Sequence, residues 1–173
     1  MQDKEKFFKA LLKENSERLY RISCYYAKNY HDQEDLYQEI IINIWKSLSK
    51  FRGDSSINTW VYRIAINTSI DFVRKESRKK EIQEGFRTEM GSIMRSGVTK
   101  NTLLRMEKTL YEIHSLLNQL SVIDKVIMTL ILEDLPGREI ASIVGITESN
   151  VRIKVHRIKQ FLKLNIKGGY INE

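Results

Sequence analysis

Apolar residues return every three or four positions along this chain, and nowhere do they alternate with polar ones over strand lengths. That period predicts a nearly all-helical protein. A first block, about Asp3 to Arg78, carries helical segments near 4–14, 16–30, 32–49 and 57–77. The stretch KFRGDSSIN (50–58) interrupts them with Gly, Asp and Ser and reads as a loop. A second block, about Thr109 to Lys167, carries segments near 109–118, 122–133, 138–144 and 148–165, with breaks at Ser121, at DLPG (134–137) and at Gly145. Between the blocks, residues 76–102 are polar and glycine-containing with weak periodicity, which predicts a flexible tether with a short helix near 88–95. The expected fold class is therefore all-α: two small helical domains, 1–78 and 109–173, joined by a linker over 79–108.

The end of the second block has its own grammar. A short helix from Glu139 to Val144, a turn at Gly145 and a second helix capped by Thr147 form a helix-turn-helix. Thr147 offers an oxygen to an orphan backbone N–H, and Glu148 suits the positive helix end. Ala141 and Gly145 are small where the helices approach, and Ile140, Val144 and Ile146 supply apolar contacts. At about 100° per residue, Val151, Val155, Ile158 and Leu162 form an inward seam. Arg152, Ile153, His156, Arg157, Lys159, Gln160 and Lys163 fall on the outer side. From Thr147 to Lys167 six Lys or Arg residues face one acid, Glu148. An arginine near the start of such a helix can read guanine, and lysines farther along can meet phosphates. A solvated basic surface helix is the plainer reading of the charges alone.

The first block carries two unlike faces. Leu36, Ile40, Ile41, Ile44 and Leu48 share one side of the 32–49 helix, with Asp35, Gln38 and Glu39 away from it. Residues 31–39 hold four acids (Asp32, Glu34, Asp35, Glu39) and no Lys or Arg. A helix dipole accounts for the first three, but it fades within a turn and leaves Glu39 unexplained. Such a patch repels nucleic acid and fits a basic protein surface. In the next helix Val61, Ile64, Ala65 and Phe72 face one way and Ile66, Ile70 and Val73 lie on a flank. The remaining strip holds Trp60, Arg63, Asn67, Asp71 and Arg74. Indole beside guanidinium and carboxamide suits stacking on an unpaired base while its backbone is held. RKESRKK (74–80) continues the basic character, and the Gly-Asp-Ser loop ahead of the strip offers a place for a base drawn from the stack. A core role for Trp60 is the competing reading.

Charge narrows the partners without naming one: 29 Lys and Arg against 22 Asp and Glu give +7 over 173 residues, which favours a polyanion. The lone cysteine, Cys24, cannot staple a fold, so a reducing compartment is expected. No signal-peptide pattern and no apolar window long enough for a bilayer is present, so a cytoplasmic protein without a membrane span is expected. His31, His114 and His156 are far apart in sequence and no second acidic cluster joins Asp35 and Glu39. Neither an enzyme nor a metal or cofactor is therefore expected. A helix-turn-helix regulator that acts on DNA alone remains an alternative, although it leaves the acidic patch and the Trp60 strip unused.

The two blocks in this order resemble one family. DQEDLYQEIIINIWKSLSKFRGDSSINTWVYRIAINTSIDFVRK is similar to region 2 of sigma-70-type RNA polymerase sigma factors, through EDLYQE, the FRG and TW loop, and RIAIN with its following ID and RK. LNQLSVIDKVIMTLILEDLPGREIASIVGITESNVRIKVHRIKQFL resembles sigma region 4. Two such regions with a short linker match the extracytoplasmic-function (ECF) group. The resemblance implies docking on core RNA polymerase, on its large-subunit clamp helices and flap, with Asp35, Leu36, Gln38 and Glu39 on the clamp helices. It implies contact with melted promoter −10 DNA by Phe51, Arg52, Ser56, Trp60, Arg63, Asn67 and Arg74. It implies −35 recognition by Thr147, Ser149, Asn150, Arg152, Ile153, His156, Arg157 and Lys159. It further implies a linker threading toward the RNA exit path, a free monomer, and an anti-sigma factor that covers these faces. LPGRE (135–139) stands where relatives carry Leu-Ser-Tyr before the acid, leaving Gly137 or the backbone as cap. SNVRIK (149–154) replaces Gly-Thr-Val-Lys-Ser-Arg, with Ile153 where Ser is common, which bears on the −35 sequence and not on the docking mode.

Overall fold

Five positions in the first segment decide how it packs. Leu11, Asn15, Leu19, Ile22 and Tyr26 recur every three or four residues, fall on one helix face and are all buried. In the computed structural model, which describes residues 2–86 and 115–165, they are the inner side of α1 (Gln2–Tyr26). The two segments expected here are one continuous helix. The polar run Lys13–Glu17 contains no Gly or Pro to end it, and Asn15 turns inward instead of breaking the turn. Its amide donates to the Leu11 carbonyl at 3.0 Å and to Asn58 Oδ1 at 3.2 Å, and its Oδ1 accepts from the Tyr62 hydroxyl at 3.1 Å.

Helix α2 (Tyr30–Ser47) starts at Asn29, whose side chain accepts from the Asp32 N–H at 2.9 Å. It runs into a 3₁₀ turn, Leu48–Lys50. Leu36, Ile40, Ile44 and Leu48, spaced by four, are buried. Helix α3 (Ile57–Phe86) begins at Ser56, whose Oγ accepts from the Thr59 N–H at 3.1 Å. Val61, Tyr62, Ala65, Ile66 and Ser69 form its inner face. The helix continues past residue 78, so residues 79–86, expected in the tether, are helical. The helix expected near 88–95 lies outside the described residues, as does most of that expected at 109–118.

In the second unit residues 115–119 are helical, followed by α4 (Val122–Leu132), α5 (Gly137–Val144) and α6 (Glu148–Asn165). Ser121 caps α4 through the Asp124 N–H at 3.2 Å. The end of α4 is a Schellman turn: Asp134 N–H reaches the Ile131 carbonyl at 2.9 Å, and Leu135 N–H reaches the Leu130 carbonyl at 3.1 Å. The left-handed position is Asp134, at φ 57°. Helix α5 also ends at a left-handed residue, Gly145, φ 78°, but there the Gly145 and Ile146 N–H groups share the Ala141 carbonyl. Ile140, Ala141, Ile143, Val151 and Ile158 fill the space between α5 and α6.

The two helical units also pack on one another. Their buried apolar residues form one continuous cluster, and α5 packs on α3. The tether pattern spoke only to the linker's composition and carried nothing about the surfaces it brings together.

Candidate nucleic-acid interface

Helix α6 presents its outer side to solvent. Arg152, Ile153, His156, Arg157 and Lys159 are exposed, while Val151 and Ile158 are buried beneath them. Thr147 caps the helix, its Oγ1 accepting from the Asn150 N–H at 3.2 Å. Pro136, without a side-chain cap, starts α5: its carbonyl accepts from the Glu139 and Ile140 N–H groups. Arg152 is steadied by Glu148 one turn earlier, at 2.8 Å. His156 pairs with Gln160 at 2.9 Å. Ser149 and Asn150 are exposed at the leading end.

Not every cation on α6 belongs to this face. Lys154 reaches across to Asp124 of α4 at 2.8 Å, both side chains being mostly covered. Burial works against the Asp124 carboxylate, but hydrogen bonds from Lys154 and Ser121 and the charges of Lys154 and Arg157 outweigh it and hold its pKa below the ordinary value. Lys154 is a strut between helices. The sequence count of basic residues could not separate it from its neighbours, because its partner lies on another helix.

On α3, Trp60 is half-buried against the core and meets Phe51 of the loop, ring centroids 5.4 Å apart. Its ring is therefore neither wholly in the core nor wholly exposed. The loop turns at Gly53, φ 80°, with Arg52 exposed beside it. Ser56 is occupied in capping α3 and exchanges a 2.7 Å hydrogen bond with Thr59. Asn67 and Arg74 are exposed, Arg74 lying 3.6 Å from Asp71. Arg63 reaches outside the unit, donating to the Ser142 carbonyl of α5 at 2.7 Å.

The acidic side of α2 forms a third surface. Asp35 and Gln38 are exposed, with His31 3.3 Å from Asp35. Glu39 pairs with Lys75 of α3 at 2.8 Å. Leu36 does not belong here: it is fully buried in the core, because it shares the wheel position of Ile40 and Ile44. Ile42 and Trp45 complete the stripe instead, seven and ten residues after Asp35, and are among the exposed large apolar residues. Phe8 packs edge-on against Trp45 at 4.9 Å and the Lys4 ammonium lies 4.5 Å over its ring. Their spacing off the Leu36–Ile40–Ile44 seam is the signal that would have found them. Among the described residues no group of three His, Cys, Asp or Glu side chains gathers as a metal site would need, and no helix is long and apolar enough to cross a membrane.

Known proteins share this arrangement. Residues 11–79 match the family described as Sigma-70 region 2, and residues 110–162 match Sigma-70, region 4. The chain is 29% identical over 154 residues to RNA polymerase sigma factor SigV of Bacillus subtilis, spanning 88% of this chain and 87% of that one. It is 28% identical over 156 residues to the ECF RNA polymerase sigma-E factor of Haemophilus influenzae, spanning 84% and 79%. In fold it is similar to CnrH in complex with the cytosolic domain of CnrY, at TM-score 0.68, 19% identity and coverage of 92% and 87%. It is also similar to the sigma factor RpoE of Bartonella quintana in complex with the anti-sigma factor NepR, at TM-score 0.67, 22% identity and coverage of 94% and 99%. With both regions matched in order across most of its length, the chain belongs to the sigma-70 family, as an RNA polymerase sigma factor of the ECF group.

Proposed function

We propose that the three surfaces divide the work of transcription initiation. The stripe Asp35–Gln38–Glu39–Ile42–Trp45 docks on core RNA polymerase, its carboxylates meeting a basic surface and its two apolar side chains packing at the centre. The loop and strip of Phe51, Arg52, Ser56, Trp60, Arg63, Asn67 and Arg74 hold the opened −10 element. The α6 face of Thr147, Ser149, Asn150, Arg152, Ile153, His156, Arg157 and Lys159 reads the −35 element in the major groove. The observation that carries this reading is the exposed acidic and apolar stripe on the same chain as a helix-turn-helix. A regulator acting on DNA alone has no use for such a stripe. CnrH and RpoE are each described with a bound partner, for RpoE an anti-sigma factor, and we extend that to this chain: a protein inhibitor would cover the α2 and α3 surfaces. The work takes place in the cytoplasm, where polymerase and promoter are.

Run-off transcription tests it. Core polymerase with this protein should initiate at discrete sites on a genomic promoter library, and core alone should not. Identical products with and without the protein would refute the reading.

A further inference from the structure

One side chain on the outer side of α6 breaks the pattern around it. Ile153 is 51% exposed. The residues one turn before and after it, Ser149, Asn150, His156 and Arg157, are polar and also exposed. Packing gives no reason for an isoleucine here, since Val151 and Ile158 already fill the inward seam of the helix. A lone apolar residue on a surface is commonplace. This one is also held in a fixed attitude.

The turn that carries Ile153 cannot rotate freely. Thr147 caps the helix through the Asn150 N–H at 3.2 Å. The next residue, Lys154, is tied to Asp124 of α4 at 2.8 Å. Branching at Cβ leaves isoleucine one favoured χ1 in a helix, so the Ile153 methyl groups lose little freedom on contact. Its polar neighbours are steadied within α6: Arg152 by Glu148 at 2.8 Å, one turn back, and His156 by Gln160 at 2.9 Å, one turn on.

In a major groove such a side chain has one suitable counterpart. Base edges there present hydrogen-bonding groups: N7 and O6 of guanine, N7 and N6 of adenine, N4 of cytosine and O4 of thymine. Isoleucine pressed on any of these displaces their water and returns no hydrogen bond. The apolar group on offer is the C5-methyl of thymine. A serine would make no such choice, because its hydroxyl both donates and accepts. We propose that Ile153 is a specificity-determining residue that reads a thymine methyl in the −35 duplex. The inference rests on the assignment of the outer face of α6 to that duplex, and adds the base required there.

The full-length chain bound to core polymerase first selects duplexes from a library randomised over the −35 region. In a selected duplex each thymine in turn is then replaced by deoxyuridine, which removes the methyl and keeps every hydrogen-bonding group. At one position the natural chain should bind the uracil duplex about fourfold more weakly, the worth of one buried methyl group. At that position 5-methylcytosine should bind more tightly than cytosine by a similar factor. Ile153→Val should keep the preference for thymine over uracil, and Ile153→Ser should abolish it. The preference compares two duplexes on one protein, so a variant that merely folds less well changes both affinities and not their ratio. Equal binding of thymine and uracil at every position by the natural chain would overturn the proposal, as would a preference that survives Ile153→Ser. Loss of affinity for core polymerase by Ile153→Ser without DNA would overturn it too, by making the side chain a protein contact. A selected −35 element with no methyl preference sinks only this inference. Selection of no −35 sequence, together with no start-site selection in run-off transcription, sinks the promoter reading beneath it.

Discussion

Gly145 and Arg152 show what single residues do in the helix-turn-helix. Gly145 sits at φ 78°, with open space where a Cβ would stand, so replacing it costs backbone strain and no collision. Gly145→Ala should therefore destabilise the second unit by about 1–2 kcal/mol and Gly145→Asn by less, since Asn tolerates the left-handed region; thermal denaturation of both variants checks the order. Arg152 and Lys154 are two residues apart on one helix and should behave differently. Arg152→Ala should cost about 1–3 kcal/mol of duplex affinity concentrated at one −35 base pair, measured by binding to single-substitution duplexes. Lys154→Ala should leave that profile intact and lower stability by about 1 kcal/mol, because its partner is Asp124. Loss of base discrimination in Lys154→Ala would show that the strut is also a reader.

At the scale of elements, the period of apolar residues was enough to find α2, α4, α5 and α6 and their buried sides. The wheel placed Val151 and Ile158 inside and Ile153 outside, as observed. It joined α1 and α3 less well: the Lys13–Glu17 run looked like a break, and the basic end of α3 looked like the start of a tether. Both are polar helix interiors, where period carries no signal because nothing apolar marks the turn. For α2 the wheel set Leu36 on the apolar side, where the structure buries it, although the resemblance had put it among the docking residues; Ile42 and Trp45, which the wheel reading passed over, are exposed. Charge reversal at Asp35 and Glu39 should reduce affinity for core polymerase tenfold or more, about 1.4 kcal/mol upward, while duplex binding survives. Trp45→Ala should weaken core binding by a similar factor with no change in charge. Competition with a reference sigma factor reads both, and full affinity in either variant would remove that residue from the docking surface.

For the whole molecule, the contacts that sequence reasoning missed are the ones between units. Arg21 and Glu133 are 112 residues apart, and each alone reads as an ordinary surface charge. Lys125 is a sensitive reporter of the joint. Burial, with the Lys28 charge adding, pushes its ammonium down from 10.5 to about 8. Between those values the unfolded chain holds a proton that the folded chain has released, so stability should rise as pH climbs from about 8 toward 10.5. Below that window the buried charge is a burden of roughly 2 kcal/mol, discounted for solvent near its tip. Lys125→Met should be more stable than the natural chain at pH 7, and the difference should shrink through the window. Urea denaturation of both proteins across that range isolates Lys125 from the groups that the two proteins share.

The loop at 51–56 stands on supports that are not its own. Asn15, Asn58 and Tyr62 tie the start of α3 to α1 beneath it, and Arg52, Gly53 and Asp54 are exposed. Apart from the backbone demand at Gly53, these positions are free to vary at little expense to folding. On the proposed assignment of this loop to −10 DNA, promoter preference can diversify here by ordinary point mutation, one side chain at a time, at little expense to the scaffold.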